Sequence, residues 1–421
     1  MYIFRLNFFF LAVIILTLLT GCAGQNRSTS LSWTDDIEVF QEQLPKKHKN
    51  LFFSISEKEY QRRLAQIKAE LPQLSDLEVE IELRRVLADV GDAHTALGWK
   101  LEELYPLDFN WFAEGVFVMA AAPEHADLIG QRLTAVNGTS VSIIKEKLAE
   151  IIPHENEAQL WKQYPEYLAM PKYLRGLDII DNTHAVFEFE DYNGEKTEIA
   201  LDPIAKSTDI KWRRYLGDVA KIPENPDSIP LYLSKSGTYY WKKYLPEEQI
   251  LYLQYNGCVD DPDNPFDRFA EQTIHELDSK TVQTFVVDLR FNGGGNSSIM
   301  RPLIKKLEKD YRSGREYKLY VVLGRATFSS AVLNAIDLKQ KAGALFIGEP
   351  TAGKPNHYGE VRSLQLPYSR LQLSYSTKYF DVYDKAADSL RPDIRVLWSF
   401  EDLSSWQDGV LEAIRRRQHE D

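Results

Sequence analysis

From Ile250 onward, short continuous apolar runs alternate with amphipathic stretches, and this pattern limits the possible folds more than any other part of the chain. The runs fall at 250–255, 284–289, 319–323 and 345–347, with helical spacing near 266–277, 299–307 and 331–341 between them. A strand with no alternation of apolar and polar residues must be covered on both faces. Repeated strand–helix units supply that cover by placing helices against a mostly parallel sheet. A layered α/β domain over 249–421 is therefore expected. Within it, Leu364-Gln-Leu-Pro and Leu371-Gln-Leu-Ser-Tyr alternate around Pro367-Tyr-Ser-Arg370 and read as a hairpin.

The preceding sequence differs in kind. Residues 101–205 carry short strand patterns at 116–121, 132–136, 185–189 and 197–201, punctuated by Asn137-Gly138 and Asn193-Gly194 turns. Residues 35–100 are helical in period: Ile37, Phe40 and Leu44; then Tyr60, Leu64, Ile67 and Leu71; then Ile81, Val86, Leu87 and Val90 behind a capping box at Ser75 and Glu78. Residues 206–248 are polar and proline-spaced and read as a connector. A length of 421 residues suits two to three such domains. With 44% hydrophobic residues the chain can fill their cores, and a net charge of −12 makes nucleic acid a poor partner.

At the amino terminus, Arg5 precedes an apolar run from Phe8 to Leu19, short for a membrane span and typical of a secretory signal. It ends in Leu19-Thr20-Gly21-Cys22, which resembles the bacterial lipobox. The expectation is a signal peptide at 1–21, a lipid on Cys22, a linker at 22–34, and a membrane-anchored protein in the cell envelope facing the extracytoplasmic side. Lipidation of Cys22 leaves Cys258 without an intrachain partner, so no disulfide is expected and Cys258 reads as a buried thiol.

The eight histidines are dispersed, with no HExxH or paired-cysteine spacing, so neither a metal nor any other cofactor is expected. Gly348-Glu-Pro-Thr-Ala-Gly353-Lys354 imitates a phosphate-binding loop. However, Pro355 stands where Ser or Thr would hold magnesium, and the residues that follow have strand rather than helix character.

Three segments at the ends of predicted strands could carry chemistry. Asp288-Leu-Arg-Phe-Asn-Gly-Gly-Gly295 can turn backbone N–H groups toward an oxyanion. Thr327-Phe-Ser329-Ser330 opens a helix, whose dipole favours a developing negative charge. Lys354 ends the third segment, and a lysine in a dry site can act as a base. Taken singly, these residues serve equally well as a turn, an N-cap and a solvated side chain.

In this order and spacing the three segments resemble the C-terminal processing and tricorn family of serine peptidases. Lys354 follows Ser329 by 25 residues, the separation of base and nucleophile in the processing peptidases. Two further segments extend the likeness to roughly residues 80–390. Leu128–Thr139 is similar to the middle of a PDZ domain, and Gly91-Asp-Ala-His-Thr95 matches a motif whose histidine is the base in tricorn-type members. The resemblance implies a crotonase-like α/β core behind a PDZ-like domain and a small helical domain. It also implies Ser329 as nucleophile, oxyanion contacts from Gly294 and Ser330, and a peptide or protein substrate.

The sequence departs from the family pattern at Ser330 in place of alanine, Val332 in place of glutamate, Pro355 after the lysine, and Tyr358 in place of a supporting glutamine. These changes weaken Lys354 as base, and His94 is preferred because an imidazole titrates near neutrality without a large shift. The alternative is a catalytically silent surface lipoprotein that binds peptides or glycans.

Overall fold

The computed structural model describes residues 31–383 and 386–420; Cys22 and the rest of the amino-terminal signal lie outside them. A six-stranded sheet runs in the order Tyr240–Leu245, Ile250–Tyr255, Thr284–Asp288, Lys318–Leu323, Leu345–Gly348, Ile394–Arg395. The first pair is antiparallel and the remaining pairs are parallel. Every residue of Ile250–Tyr255 and Thr284–Asp288 is buried, because each face of these strands has its own cover. Leu251, Leu253 and Tyr255 pack with the helices Phe266–Ser279, Arg301–Arg312 and Ser330–Ala342. Ile250 and Tyr252 pack with the helix Gly409–Glu420.

The strand Tyr240–Leu245 corrects the reading of 206–248 as a connector throughout. It pairs from Tyr240 with Tyr255 to Leu245 with Ile250. It is the edge strand, and only Tyr240 and Trp241 are buried, so Lys242 and Lys243 can break the apolar run without breaking the strand.

A second, antiparallel sheet holds Leu107–Phe112, Gly115–Ala121, Arg132–Val136, Ala185–Glu190 and Lys196–Leu201 in that order. Asn137 and Gly138 both have positive φ, 46° and 71°, as a two-residue turn closing Val136 onto Thr139 demands. Three helices, Val141–Ala149, Glu157–Leu168 and Pro171–Gly176, lie between the third and fourth of these strands and were not anticipated. Pro165 inside the middle helix and Pro171 at the start of the last interrupt the periodic signal.

The helices Glu57–Glu70 and Asp76–Val90 form a third cluster. The second begins at a reciprocal capping box between Ser75 and Glu78 and ends at Gly91, whose φ of 71° turns the chain out of the helix. This cluster is completed by residues from far along the chain. The hairpin His357–Gln365 and Gln372–Phe380 buries Leu366, Leu371, Leu373 and Tyr375 against Phe40, Tyr60, Leu83 and Leu87. Leu97 forms an antiparallel bridge with Leu373, which holds the segment just after the helices against the hairpin.

Candidate active site

Ser329 stands between the buried strand Lys318–Leu323 and the helix Ser330–Ala342, at φ 51° and ψ −123°. That left-handed region costs a residue with a Cβ about 1–3 kcal/mol, and such strain persists only where the surroundings fix it. Here they do. Thr327 Oγ1 donates to the Leu289 carbonyl at 2.8 Å and accepts the Gly324 N–H at 3.0 Å, while the Phe328 N–H donates to the Asn292 carbonyl. Tight strand-to-helix turns of this sort lift a hydroxyl clear of the backbone, and Ser329 is partly exposed.

The glycine loop packs directly beneath this turn. A Cβ on Gly294, which has φ 106°, would lie 2.9 Å from Ser329 Cβ and 3.1 Å from the Ser330 nitrogen, so only glycine allows the approach. Ser330 explains its own departure from alanine, since its Oγ donates to the Gly295 carbonyl at 2.6 Å and ties the loop to the helix start. Of the two expected oxyanion donors, the Ser330 N–H has no acceptor in the described backbone hydrogen bonds, as befits the first residue of a helix. The Gly294 N–H donates to Asn292 Oδ1 at 2.9 Å.

The rest of the Asp-Leu-Arg-x-Asn segment is scaffolding. Arg290 pairs with Asp288 at 2.8 Å and places both guanidinium NH2 groups on Asp408 at 3.1 Å. Asn292 donates to the Tyr255 carbonyl. Cys258 is buried beside Asn292 and Asn334, and burial pushes its thiol up to about 12, which removes it as a nucleophile near neutrality.

His94 lies in the short loop after Gly91, and its ring stacks on Phe328 with centroids 4.4 Å apart. The loop is organised by Asp92. Its Oδ1 accepts the His94 N–H at 3.0 Å, and its Oδ2 accepts His48 Nε2 at 2.9 Å and Thr95 Oγ1 at 2.5 Å. Burial opposes a charge on Asp92, but the bonds from His48, His94 and Thr95 outweigh it and hold the carboxyl far below its usual range. Ser374 Oγ secures the loop from the hairpin side by donating to the His94 carbonyl at 2.9 Å. Although His94 is only 9% exposed, neither of its ring nitrogens has a hydrogen-bond partner, and Nδ1 lies 3.7 Å from Asp92 Oδ1.

Lys354 reaches the same neighbourhood through its backbone, and its charge also acts on Glu155. The loop 351–354 abuts the serine turn, for a Cβ on Gly353 would lie 3.1 Å from the Ser329 nitrogen. The Lys354 N–H donates to Glu155 Oε2 at 3.1 Å and its carbonyl accepts His357 Nδ1 at 2.9 Å. Its half-buried side chain lines an open depression with Asn356, Tyr379, Asp381, Tyr383 and Asp388. Among the described residues no hydrogen bond joins Ser329 Oγ to His94 or to Lys354.

Sequence reasoning passed over four residues at this site: His48, Asp92, Glu155 and His357. The Asp-x-His spacing at 92–94 could have flagged Asp92, whose carboxylate can reach the amide two residues on. Glu155 and His357 come from distant segments and gave no local signal. Burial raises the Glu155 carboxyl to about 7, against the opposing charge of His94. It lowers the His357 imidazole to about 4, with the charge of His94 adding to the effect.

No family model and no curated protein sequence matches the chain. Its fold does match solved structures. Mature CPAF aligns with a TM-score of 0.64 over 91% of this chain and 96% of its own, at 12% identity. Mature CPAF complexed with lactacystin aligns at 0.65 over 91% and 97%, also at 12% identity. The photosystem II D1 C-terminal processing protease aligns at 0.40 over 92% and 97%, at 14% identity. The chain thus has a mixed α/β fold shared with mature CPAF along nearly its whole described length.

Proposed function

We propose that the protein is a serine peptidase that hydrolyses peptide bonds through an acyl-enzyme on Ser329, with His94 as general base. The observation that carries this reading is the strained Ser329 at a helix start, with an unpartnered buried imidazole stacked on the adjoining Phe328 and its loop fixed by an ionised Asp92. His94 takes the Ser329 proton as Oγ attacks the substrate carbonyl, and Asp92 balances the imidazolium that results. The Ser330 N–H, at the positive end of its helix, faces the charge that develops on the carbonyl oxygen. Gly294 joins it where its amide leaves Asn292 Oδ1 for the substrate. The imidazolium gives that proton to the departing amine as the C–N bond breaks and leaves the acyl ester; water then attacks the ester as His94 takes its proton, which returns to Ser329 Oγ when the ester C–O bond breaks.

In the same reading the α/β part is crotonase-like and residues 101–205 serve as a PDZ-like module for an extended peptide. The resemblance of Leu19–Cys22 to a lipobox supports, in this reading, a lipid anchor on Cys22 and a mature protein facing the extracytoplasmic side. No helix among the described residues is long and apolar enough to cross a membrane. Incubation with a peptide library, read by mass spectrometry, tests the activity: new termini and a mass adduct on Ser329 are expected, and their absence from both would leave the chain as a silent peptide- or glycan-binding lipoprotein. Cys22→Ser tests the anchor, since the variant should fail to incorporate labelled fatty acid.

A further inference from the structure

Asp92, His94 and Glu155 come from two separate segments, yet each presents one ligand-type atom to the others, all within 4.8 Å of one another. The atoms available there are not consumed by the fold. His94 is 9% exposed with both ring nitrogens unpartnered. Asp92 Oδ1 accepts only the His94 N–H, so one of its lone pairs is spare, while Oδ2 takes up His48 and Thr95. Glu155 Oε2 accepts the Lys354 N–H, and Oε1 has no such partner among the described hydrogen bonds. A tetrahedral zinc ion bound by nitrogen and oxygen at about 2.0–2.2 Å separates its ligands by about 3.3 Å. The 3.7 Å between His94 Nδ1 and Asp92 Oδ1 is close to that, and Glu155, whose ligand atom lies within 4.8 Å of the others, must move in by at most about 1.5 Å to join them.

We propose that Asp92, His94 and Glu155 form a binding site for a divalent transition-metal cation of the zinc class, and that its occupancy removes His94 from service as a base. Two carboxylates and one imidazole neutralise the ion and leave a fourth position for water. The partners that orient such ligands are already in place: His48 and Thr95 on Asp92, and the Lys354 amide on Glu155. The ion is thus a reversible inhibitor rather than a cofactor. Its binding is independent of the activity proposed above, whereas the inhibition rests on that reading.

The test titrates zinc chloride into the Ser329→Ala protein, which cannot turn over, by calorimetry with magnesium as control. One zinc per chain and no magnesium are expected, with an X-ray absorption edge fitted by nitrogen and oxygen alone. His94→Ala and Glu155→Gln should each weaken zinc at least about tenfold; glutamine keeps an oxygen for the Lys354 amide, so the loop survives the change. Absence of saturable binding, or binding that both variants retain at full strength, overturns the site. Zinc binding by a wild-type protein that cleaves nothing would preserve the site and discard the peptidase reading. Cleavage unaffected by saturating zinc would overturn the inhibition.

Discussion

Two loops meet the turn that carries Ser329, and each brings a residue able to accept a proton. The loop 91–95 buries its histidine, stacks it on Phe328 and surrounds the adjoining Asp92 with three side-chain or backbone donors. The loop 351–354 abuts the same turn through Gly353, and its lysine lines an open depression with Asp381 and Asp388. Proximity of a loop alone therefore does not choose between the two residues; the proposed assignment rests on the enclosure of the side chain. A lysine must be dried out to lose its proton near pH 7, whereas an imidazole needs only to be held.

The comparison breaks most cleanly by mutation of the proposed pair, Ser329 and His94. Ser329→Ala and His94→Ala should each lower kcat/KM by about a thousandfold or more, measured on any peptide the wild type cleaves, with folding checked by circular dichroism. A functional His94→Ala beside an inert Lys354→Ala would reverse the assignment.

His357 sharpens the comparison through stability. Its imidazole is buried and depressed to about 4, so the folded state binds fewer protons than the unfolded chain between about pH 4 and 6.5. Stability is therefore intact above pH 6.5 and is lost as the pH falls toward 4. His357→Asn keeps a donor for the Lys354 carbonyl and should remove about 2–3 kcal/mol of that acid sensitivity, roughly a hundredfold in the folding equilibrium. Urea melts of both proteins at pH 7 and pH 4 measure it; equal acid sensitivity in the two would show that His357 titrates normally.

Smaller effects are expected on the lysine side. Lys354→Ala should reduce turnover by about tenfold or less, because its backbone contacts persist and its side chain meets solvent; the pH–rate profile should keep its shape. Ser330→Ala should cost only a few fold, since the backbone N–H survives and what is lost is the hydroxyl contact to Gly295. A loss as large as that of Ser329→Ala would move the nucleophile to Ser330.

Much of the parallel sheet was legible because its strands are buried on both faces and its helices keep a single apolar stripe. The strand Ile250–Tyr255 and the helix starting at Ser330 fall where the apolar runs and the serines place them. The edge strand Tyr240–Leu245 was not legible, since four of its six residues are only partly buried and two of these are lysines. Nor were the helices between Val141 and Gly176, the last two of which have their period disturbed by Pro165 and Pro171. At the site, the local motifs marked Ser329, the glycines and His94, but the ordering of His94 depends on Asp92, His48 and Ser374. His48 and Ser374 approach from positions that spacing along the chain cannot reveal, and the same is true of Glu155, which meets Lys354 across 199 positions.

The seat of His94 is built partly by Ser374, which also pairs with Ala96 across 278 positions of sequence. Contacts so distant along the chain form late, because the intervening loop must close before they are rewarded. As the protein is synthesised, the amino-terminal helices emerge first, with the apolar face that will receive Leu366 and Leu373 still open. The imidazole loop can settle only after the hairpin has been made, by which point nearly the whole chain exists. A nascent chain stopped short of residue 374 would carry both the serine and the histidine without the side chain that pins the histidine loop, so the proposed pair is completed only when the hairpin has been made.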